Sequence, residues 1–140
     1  MKLWQKTTSS LKEVEVFTVG NDRAMDMYLA PFDVLGSLAH IQMLESVGLL
    51  TKNDLKQLQD ELKTIYQKIK QNDFILQDDV EDIHSQVELL LTQKLGDVGK
   101  KIHSARSRND QVLVDVKLFL RDQIQELVEN ITSLFNLLQK

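Results

Sequence analysis

Residues 107–140 read SRNDQVLVDVKLFLRDQIQELVENITSLFNLLQK, an apolar pattern that continues to the last residue of the chain. Apolar residues recur three and four positions apart, and neither glycine nor proline interrupts them. The spacing predicts one α-helix of some thirty residues, about 45 Å long. Its stripe consists of Leu113, Val116, Leu120, Ile124, Leu127, Ile131, Leu134 and Leu138. A small domain rarely buries such a helix completely, so we expect it to join a bundle with other chains or to continue beyond Lys140.

The composition is that of an ordinary globular protein with an all-α fold. The chain has 140 residues, of which 42% are hydrophobic and 27% charged, and it contains a single proline. The absence of cysteine excludes a disulfide scaffold and a thiolate metal site, and fits a reducing cytoplasm. A net charge of -4 argues against a general nucleic-acid partner, because phosphate binding needs a basic surface. No signal peptide and no apolar run long enough for a membrane span is visible, so we expect a cytoplasmic protein.

Three further helices precede the long one. The first follows Asn21-Asp22, is expected to break or kink at Pro31, and ends at Gly48. From Phe32 onward it is apolar nearly all round, which predicts burial on several sides. The second begins with a capping box over residues 51–54 and carries leucine and isoleucine at helical spacing to about Asn72.

The third helix is expected to be capped by Asp78-Asp79 and to end at Gly96, followed by a loop to about Ser107. That loop leads into HSARSRNDQ over residues 103–111. Cations cluster there at Lys100, Lys101, His103, Arg106 and Arg108. Together with the N-terminus of the long helix, they could bind a carboxylate or phosphate. Charge alone favours a solvated basic loop.

Two other histidines invite a functional interpretation. His84 and Glu88 are four residues apart on one predicted helix and could share a metal or a proton, but two ligands are too few, and a pair on the helix surface is favoured. His40 lies in the apolar first helix, which favours a core histidine with its hydrogen bonds satisfied. Gly36-Ser37 could permit close helix packing or place a hydroxyl in a cleft.

Taken together, four segments resemble the N-terminal part of the argininosuccinate lyases, members of the fumarase/aspartase superfamily. The segments are FDVLGSLAH, GLLT, VEDIHSQVE and GDVGKKIHSARSRNDQV, in this order and at the family's spacing. The resemblance extends from about Asp22 to the end of the chain. It favours a functional loop over a solvated one.

The resemblance implies an enzyme that cleaves argininosuccinate to arginine and fumarate by β-elimination, without metal or organic cofactor. It also implies a homotetramer, with a central helical bundle and active sites shared between subunits. By its motifs, Ser37 and Asn109 contact substrate and Arg108 is the favoured carboxylate clamp. Arg106 and Gln111 border the pocket, and Asp82 and His84 lie near it without an assigned catalytic role.

The family's later signatures, including the loop that carries the catalytic serine, have no counterpart before Lys140. We therefore expect an N-terminal fragment that binds substrate but holds no catalytic residue. Ala105 replaces the family's usual glycine, and a positive φ there would cost about 1 kcal/mol. The nearest alternatives are another lyase of the superfamily and a helical oligomerisation or anion-binding module.

These expectations divide the chain into three parts. Residues 1–20, whose sequence departs from the family's usual opening, form an extended arm. Residues 21–105 form a helical N-terminal domain. Residues 106–140 form the start of a long central helix, cut short at the last residue.

Overall fold

Five α-helices make up the described part of the chain, which comprises residues 17, 20–77 and 80–139 of a computed structural model. The helices are α1 (Asp22–Ser46), α2 (Lys52–Lys70), α3 (Ile83–Leu95), α4 (Asp97–Lys100) and α5 (Arg108–Leu138), with a 3₁₀ turn at Lys101–His103. No strand occurs among these residues, which confirms the all-α prediction. The predicted arm lies almost entirely outside the described residues.

Helix α1 runs unbroken through Pro31, so the predicted boundary there is wrong. Ala30 and Val34 on either side of the proline are fully buried, and their packing holds the helix together where one backbone hydrogen bond is missing. The predicted stop is confirmed, because Gly48 follows the last residues of α1 with φ +80°, a conformation that favours glycine. Burial on several sides holds only in part, since Leu35 and Met43 are about two-fifths exposed.

Helix α2 begins as the sequence predicts. The Thr51 hydroxyl accepts from the Asp54 amide at 3.1 Å, and the Asp54 carboxylate accepts from the Thr51 amide at 3.2 Å. This reciprocal pair satisfies backbone donors that the first helical turn leaves without partners.

Helix α3 begins later than predicted. The expected cap, Asp78-Asp79, lies outside the described residues, and the described helix is capped by Asp82, whose Oδ1 accepts from the Ser85 amide at 2.7 Å. Gly96, at φ +61°, ends the helix. The segment expected to be a loop then contains α4, because Gly99 lets it turn back closely against the backbone of Leu91.

Helix α1 packs against α2, α3 and α5, and the apolar core lies where α1 meets α2 and α3. Its members are apolar side chains that are almost completely buried: Ala30, Val34, Ile41, Leu44, Leu50, Leu58, Leu62, Ile65, Phe74, Ile83, Val87, Leu91 and Ile102. Phe32 and Phe119 add an edge-to-face contact between α1 and α5, with ring centroids 5.9 Å apart. This aromatic contact packs the N-terminal half of α5 against α1.

The C-terminal half of α5 is exposed along its length. Every residue over 121–139 is exposed, and the apolar stripe that includes Ile124, Leu127 and Ile131 is more than half accessible. The predicted long helix is thus confirmed, and so is the expectation that this chain alone does not bury it. None of the described helices combines the length and apolar character that crossing a bilayer requires.

We predict that Ala105→Gly stabilises the protein. Ala105 has φ +56°, a left-handed conformation in which its Cβ is unfavourable, so glycine should raise the free energy of unfolding by about 1 kcal/mol. Urea unfolding followed by circular dichroism measures the change. Ala39→Gly, at an exposed position inside α1, is the matched control and should lower stability by about 1 kcal/mol. A loss of stability in both variants would contradict the prediction.

Candidate functional site

The segment over residues 101–107, called the cationic loop below, is held in place at both ends. Lys101 Nζ lies 2.8 Å from the Asp54 carboxylate at the start of α2. At the other end Ser107 caps α5, where its hydroxyl and amide pair with Asp110 in a capping box. These hydrogen bonds lower the pKa of Asp110. The long helix therefore starts at the predicted residue, with Arg106, Arg108 and Asn109 around its N-terminus.

Arg106 and Ser37 meet between the loop and α1. Both terminal nitrogens of the guanidinium lie 3.3 Å from the Ser37 hydroxyl, which accepts from them. Ser37 is completely buried, so the guanidinium covers the hydroxyl that we expected to contact substrate. Burial lowers the pKa of Arg106, and the nearby carboxylates of Asp33 and Asp115 oppose that effect. A substrate could reach Ser37 only after Arg106 moved.

Arg108 joins the start of α5 to the start of α3. Its Nη2 donates to the Ser85 hydroxyl at 3.2 Å, and its Nε lies 3.5 Å from the Asp82 carboxylate. Its Nη1 lies 3.5 Å from Gln111 Oε1. The guanidinium is partly exposed, so the predicted clamp can reach a ligand, but it already has a carboxylate partner within the chain. Asn109 is exposed in the first turn of α5.

A buried polar cluster lies behind these residues, formed by Asp33, His84, Gln111 and Asp115. The Asp33 carboxylate accepts from His84 Nδ1 at 2.8 Å and from Gln111 Nε2 at 2.5 Å. Asp115 Oδ2 lies 3.5 Å from the same His84 nitrogen. Asp33 and Asp115 are at most 1% exposed and His84 is 3% exposed. The cluster thus ties α1, α3 and α5 together.

This cluster corrects two interpretations of the histidines. His84 is not on the helix surface with Glu88, because carboxylates from two other helices surround it in the interior. Glu88 instead lies 4.0 Å from His103 Nδ1. His40 is not a core residue, since it is partly exposed, and its Nε2 donates to the Ser104 carbonyl at 2.9 Å. Local spacing could not reveal either outcome, because the partners are distant in sequence.

The surroundings of the cluster raise the pKa values of Asp115 and His84. Burial and the neighbouring charge of Asp33 raise the pKa of Asp115 to about 7. Burial alone would lower the pKa of His84, but the hydrogen bond and charge of Asp33, together with the charges of Asp82 and Asp115, raise it. Burial also raises the pKa of Asp26, which precedes Asp33 by about two turns of α1. Asp115 and His84 therefore bind protons more tightly than the same groups would in water.

Asp33, His84 and Asp115 could in principle hold a metal ion, since their ligand atoms all lie within 4.8 Å of one another. The 2.8 Å separation of His84 Nδ1 from Asp33 is, however, a hydrogen-bond distance, and Gln111 already donates to the same carboxylate oxygen. Arg106 supplies a positive charge beside both acids. The geometry is that of a hydrogen-bonded ionic cluster, and the prediction of a metal-free site stays a prediction.

Two openings flank the cluster. An acidic cleft of about 270 Å³ is lined by Asp22, Met25, Asp26, Glu81, Asp82, His84 and Val112. A smaller cavity of about 100 Å³ is lined by Gly36, His40, Arg106, Asp110, Gln111, Val114 and Asp115. Gly36 makes room there, because a Cβ at that position would lie 3.3 Å from Asp115 Oδ1. All four predicted residues near the pocket, namely Asp82, His84, Arg106 and Gln111, thus line one of the two openings.

Sequence reasoning missed Asp33, Asp115 and Asp26. A signal was present for the first two, because each is an acid within an apolar helical stretch, PFDVLG and VLVDVKLF. A charged residue at a core position of a helix needs a buried partner, and that requirement marks both residues. Nothing in the spacing around Asp26 indicates that it faces a cleft.

The fold and site together define a helical protein with a cationic helix N-terminus beside an acidic cleft. Residues 2–140 match the family described as lyase, and the chain belongs to that family. It is 63% identical over 137 residues to the argininosuccinate lyase of Bacteroides thetaiotaomicron and 61% identical to that of Parabacteroides distasonis, in both cases over 98% of this chain. The argininosuccinate lyase of Thermotoga neapolitana is 38% identical over 95% of the chain.

The chain spans 31% of the length of the Bacteroides and Parabacteroides relatives and 33% of the Thermotoga relative. The similarity therefore covers nearly all of this chain but only a part of each relative.

We predict that Asp115 makes the protein less stable as the pH rises through neutrality. An acid whose pKa is raised by folding holds its proton more tightly in the folded state, so its stabilisation is greatest in acid and is lost as the pH rises from the ordinary 3.8 to about 7. The raised pKa of His84 acts in the same direction, because its stabilisation too is lost as the pH rises through its folded-state pKa. Urea unfolding between about pH 5 and about pH 8 should show this fall.

Asp115→Asn should flatten that pH dependence and unfold at higher urea than the unmodified protein at about pH 8. Asp122→Asn, an exposed aspartate on the same helix, is the control and should keep the original slope. An unchanged slope in Asp115→Asn would show that the carboxylate is not titrating as its surroundings require.

Proposed function

We propose that these residues belong to an argininosuccinate lyase, which cleaves argininosuccinate to arginine and fumarate by β-elimination without metal or organic cofactor. The relatives described above are argininosuccinate lyases, and the motif SRNDQ over residues 107–111 begins α5 in this chain. One observation carries the proposal beyond the resemblance. The cationic and acidic surfaces of the site meet where Arg108 approaches Asp82, with its Nε 3.5 Å from the carboxylate.

The substrate matches this pair of surfaces. Argininosuccinate carries several carboxylates and one guanidinium, so it needs cations and carboxylates side by side. Arg108 is partly exposed beside the N-terminus of α5 and suits a carboxylate, because its planar fork binds two oxygens at once. Asp26, Glu81 and Asp82 line the adjacent cleft and suit the guanidinium.

The reaction explains why cations should stand there. Removing a proton from carbon beside a carboxylate creates an aci-carboxylate with two negative charges. Donors already oriented toward it stabilise that transition state more than the ground state. In this proposal Arg108 supplies charge, and Asn109, exposed in the first turn of α5, supplies an amide that orients the substrate. In this proposal no residue of this chain removes the proton.

Ser37 remains a proposed substrate contact, provided that Arg106 moves away from it. Its hydroxyl is buried under Arg106, so substrate binding would have to displace that guanidinium. A second role fits the same contact, in which Ser37 holds Arg106 at the border of the pocket. Gln111 donates to Asp33 and so holds α5 against α1.

The exposed half of α5 supports the proposed assembly. Its apolar stripe is too long and too continuous for an ordinary soluble surface, and contiguous patches of this kind mark interfaces. We propose that copies of the same chain cover it in a helical bundle, as in a homotetramer. Other subunits would then complete each active site. The absence of cysteine fits a cytoplasmic enzyme.

Arg108→Gln tests the site in the complete protein that carries these residues. The variant keeps hydrogen-bonding capacity but loses the charge and the fork, so kcat/KM for argininosuccinate should fall roughly 100- to 1,000-fold. Fumarate release, followed by its ultraviolet absorbance, measures the change. Arg121→Gln, an exposed arginine further along α5, is the control and should keep the original rate. Equal rates in both variants would contradict the role of Arg108.

The same assay on residues 1–140 alone tests whether this part of the enzyme binds substrate without catalysing the reaction. We expect no fumarate release, because in this proposal none of these residues removes the proton. Clear turnover by these residues would overturn that part of the proposal.

A further inference from the structure

The Asp33–His84 pair joins the interior of the buried cluster to the wall of the acidic cleft. Asp33 is completely buried and holds His84 Nδ1 at 2.8 Å. His84 is also a lining residue of the acidic cleft, together with Asp26 and Asp82. One imidazole therefore touches a buried carboxylate on one side and the proposed substrate cleft on the other.

The hydrogen bond decides which ring nitrogen carries the proton. A carboxylate only accepts hydrogen bonds, so the Nδ1 that faces Asp33 must be protonated. In the neutral imidazole Nε2 is then the unprotonated nitrogen, and in the cation both nitrogens are protonated. Either way, Nε2 is the ring nitrogen that remains for the cleft.

Asp33 is itself held in one position. Gln111 donates to the same oxygen from α5, and Asp33 stands on α1, so the carboxylate cannot turn away from His84 without losing both bonds. Charged groups face His84 from each element packed around it. Asp26 and Asp33 lie on α1, Asp82 caps α3, and Asp115 lies on α5 with Arg106 beyond it. Among these, Asp33 alone makes a hydrogen bond to the ring among the described residues.

We propose that Asp33 is a positioning residue for the reaction. It acts through His84, fixing the Nδ1–H tautomer so that the Nε2 edge faces substrate in the acidic cleft. The inference rests on the proposed function and adds to it a residue that makes no contact with substrate. Carboxylates that orient a functional histidine from behind are a recurrent arrangement in enzymes.

The tautomer can be tested without any substitution in the cluster. The complete protein, labelled with nitrogen-15 in histidine, is examined by NMR at a pH above the titration of His84. The chain has three histidines, so His40→Asn and His103→Asn spectra assign the third set of signals to His84. We expect a protonated Nδ1 and an unprotonated Nε2. The reverse pattern would overturn the proposal.

Asp33→Asn tests the functional consequence. The amide keeps the shape of the carboxylate but can no longer hold the tautomer by charge. The pKa of His84 should fall, and kcat/KM for argininosuccinate should fall roughly 10- to 100-fold, with a changed KM and a changed pH–rate profile. Asp60→Asn, an exposed aspartate on α2, is the matched control and should behave like the unmodified protein.

A merely structural role would give a different result. It would lower the melting temperature and the active fraction of Asp33→Asn but leave KM and the pH–rate profile unchanged, which would overturn the proposal. If Asp33→Asn fails to fold, the tautomer of the unmodified protein decides the matter.

The two proposals fail in distinguishable ways. An unmodified protein that does not turn over argininosuccinate removes the proposed function and, with it, the role of Asp33. An active protein whose Asp33→Asn variant keeps its KM and pH profile removes the inference alone.

Discussion

The carboxylate of Asp33 is the interaction on which the arrangement of helices around the site depends. A single buried oxygen accepts from His84 on α3 and from Gln111 on α5, so three helices meet at one acceptor. Burying a charge without partners is costly, and these two bonds are what make its position on α1 tolerable. The same bonds determine where the acidic cleft lies relative to the cationic loop. Core packing brings α1, α2 and α3 together, and the Asp33 contact adds hydrogen bonds that join α1 to α3 and α5.

Regular features of the sequence predicted the fold well. The long helix, its start at Ser107 and the capping box of α2 depend on residues within a few positions of one another, so spacing revealed them. Pro31 misled the prediction because tertiary packing of its neighbours outweighed its local effect. The late start of α3 depends on Asp82 as its cap, and several acids in the preceding segment could have served equally well. The presence of α4 depends on the close contact of Gly99 with the Leu91 backbone, which spacing does not predict.

The site was predictable only in part, for a related reason. The cationic residues stand close together in the sequence and attracted attention as a group. Their acidic counterparts, Asp26 and Asp33, come from a helix more than fifty residues earlier, and no local pattern connects them with His84. Ser37 was predicted to contact substrate, and only the structure shows that its buried hydroxyl lies under Arg106. Burial and partner identity are tertiary facts.

The exposed half of α5 has a consequence for how the protein folds. An isolated helix of this length is only marginally stable in water, because its backbone bonds barely offset the entropy lost on ordering the chain. Residues 121–139 are exposed throughout, so little within the described chain holds them helical. Their order then depends on whatever covers the stripe. If copies of the chain do so, folding of this half and association become one equilibrium, and the melting temperature rises with protein concentration.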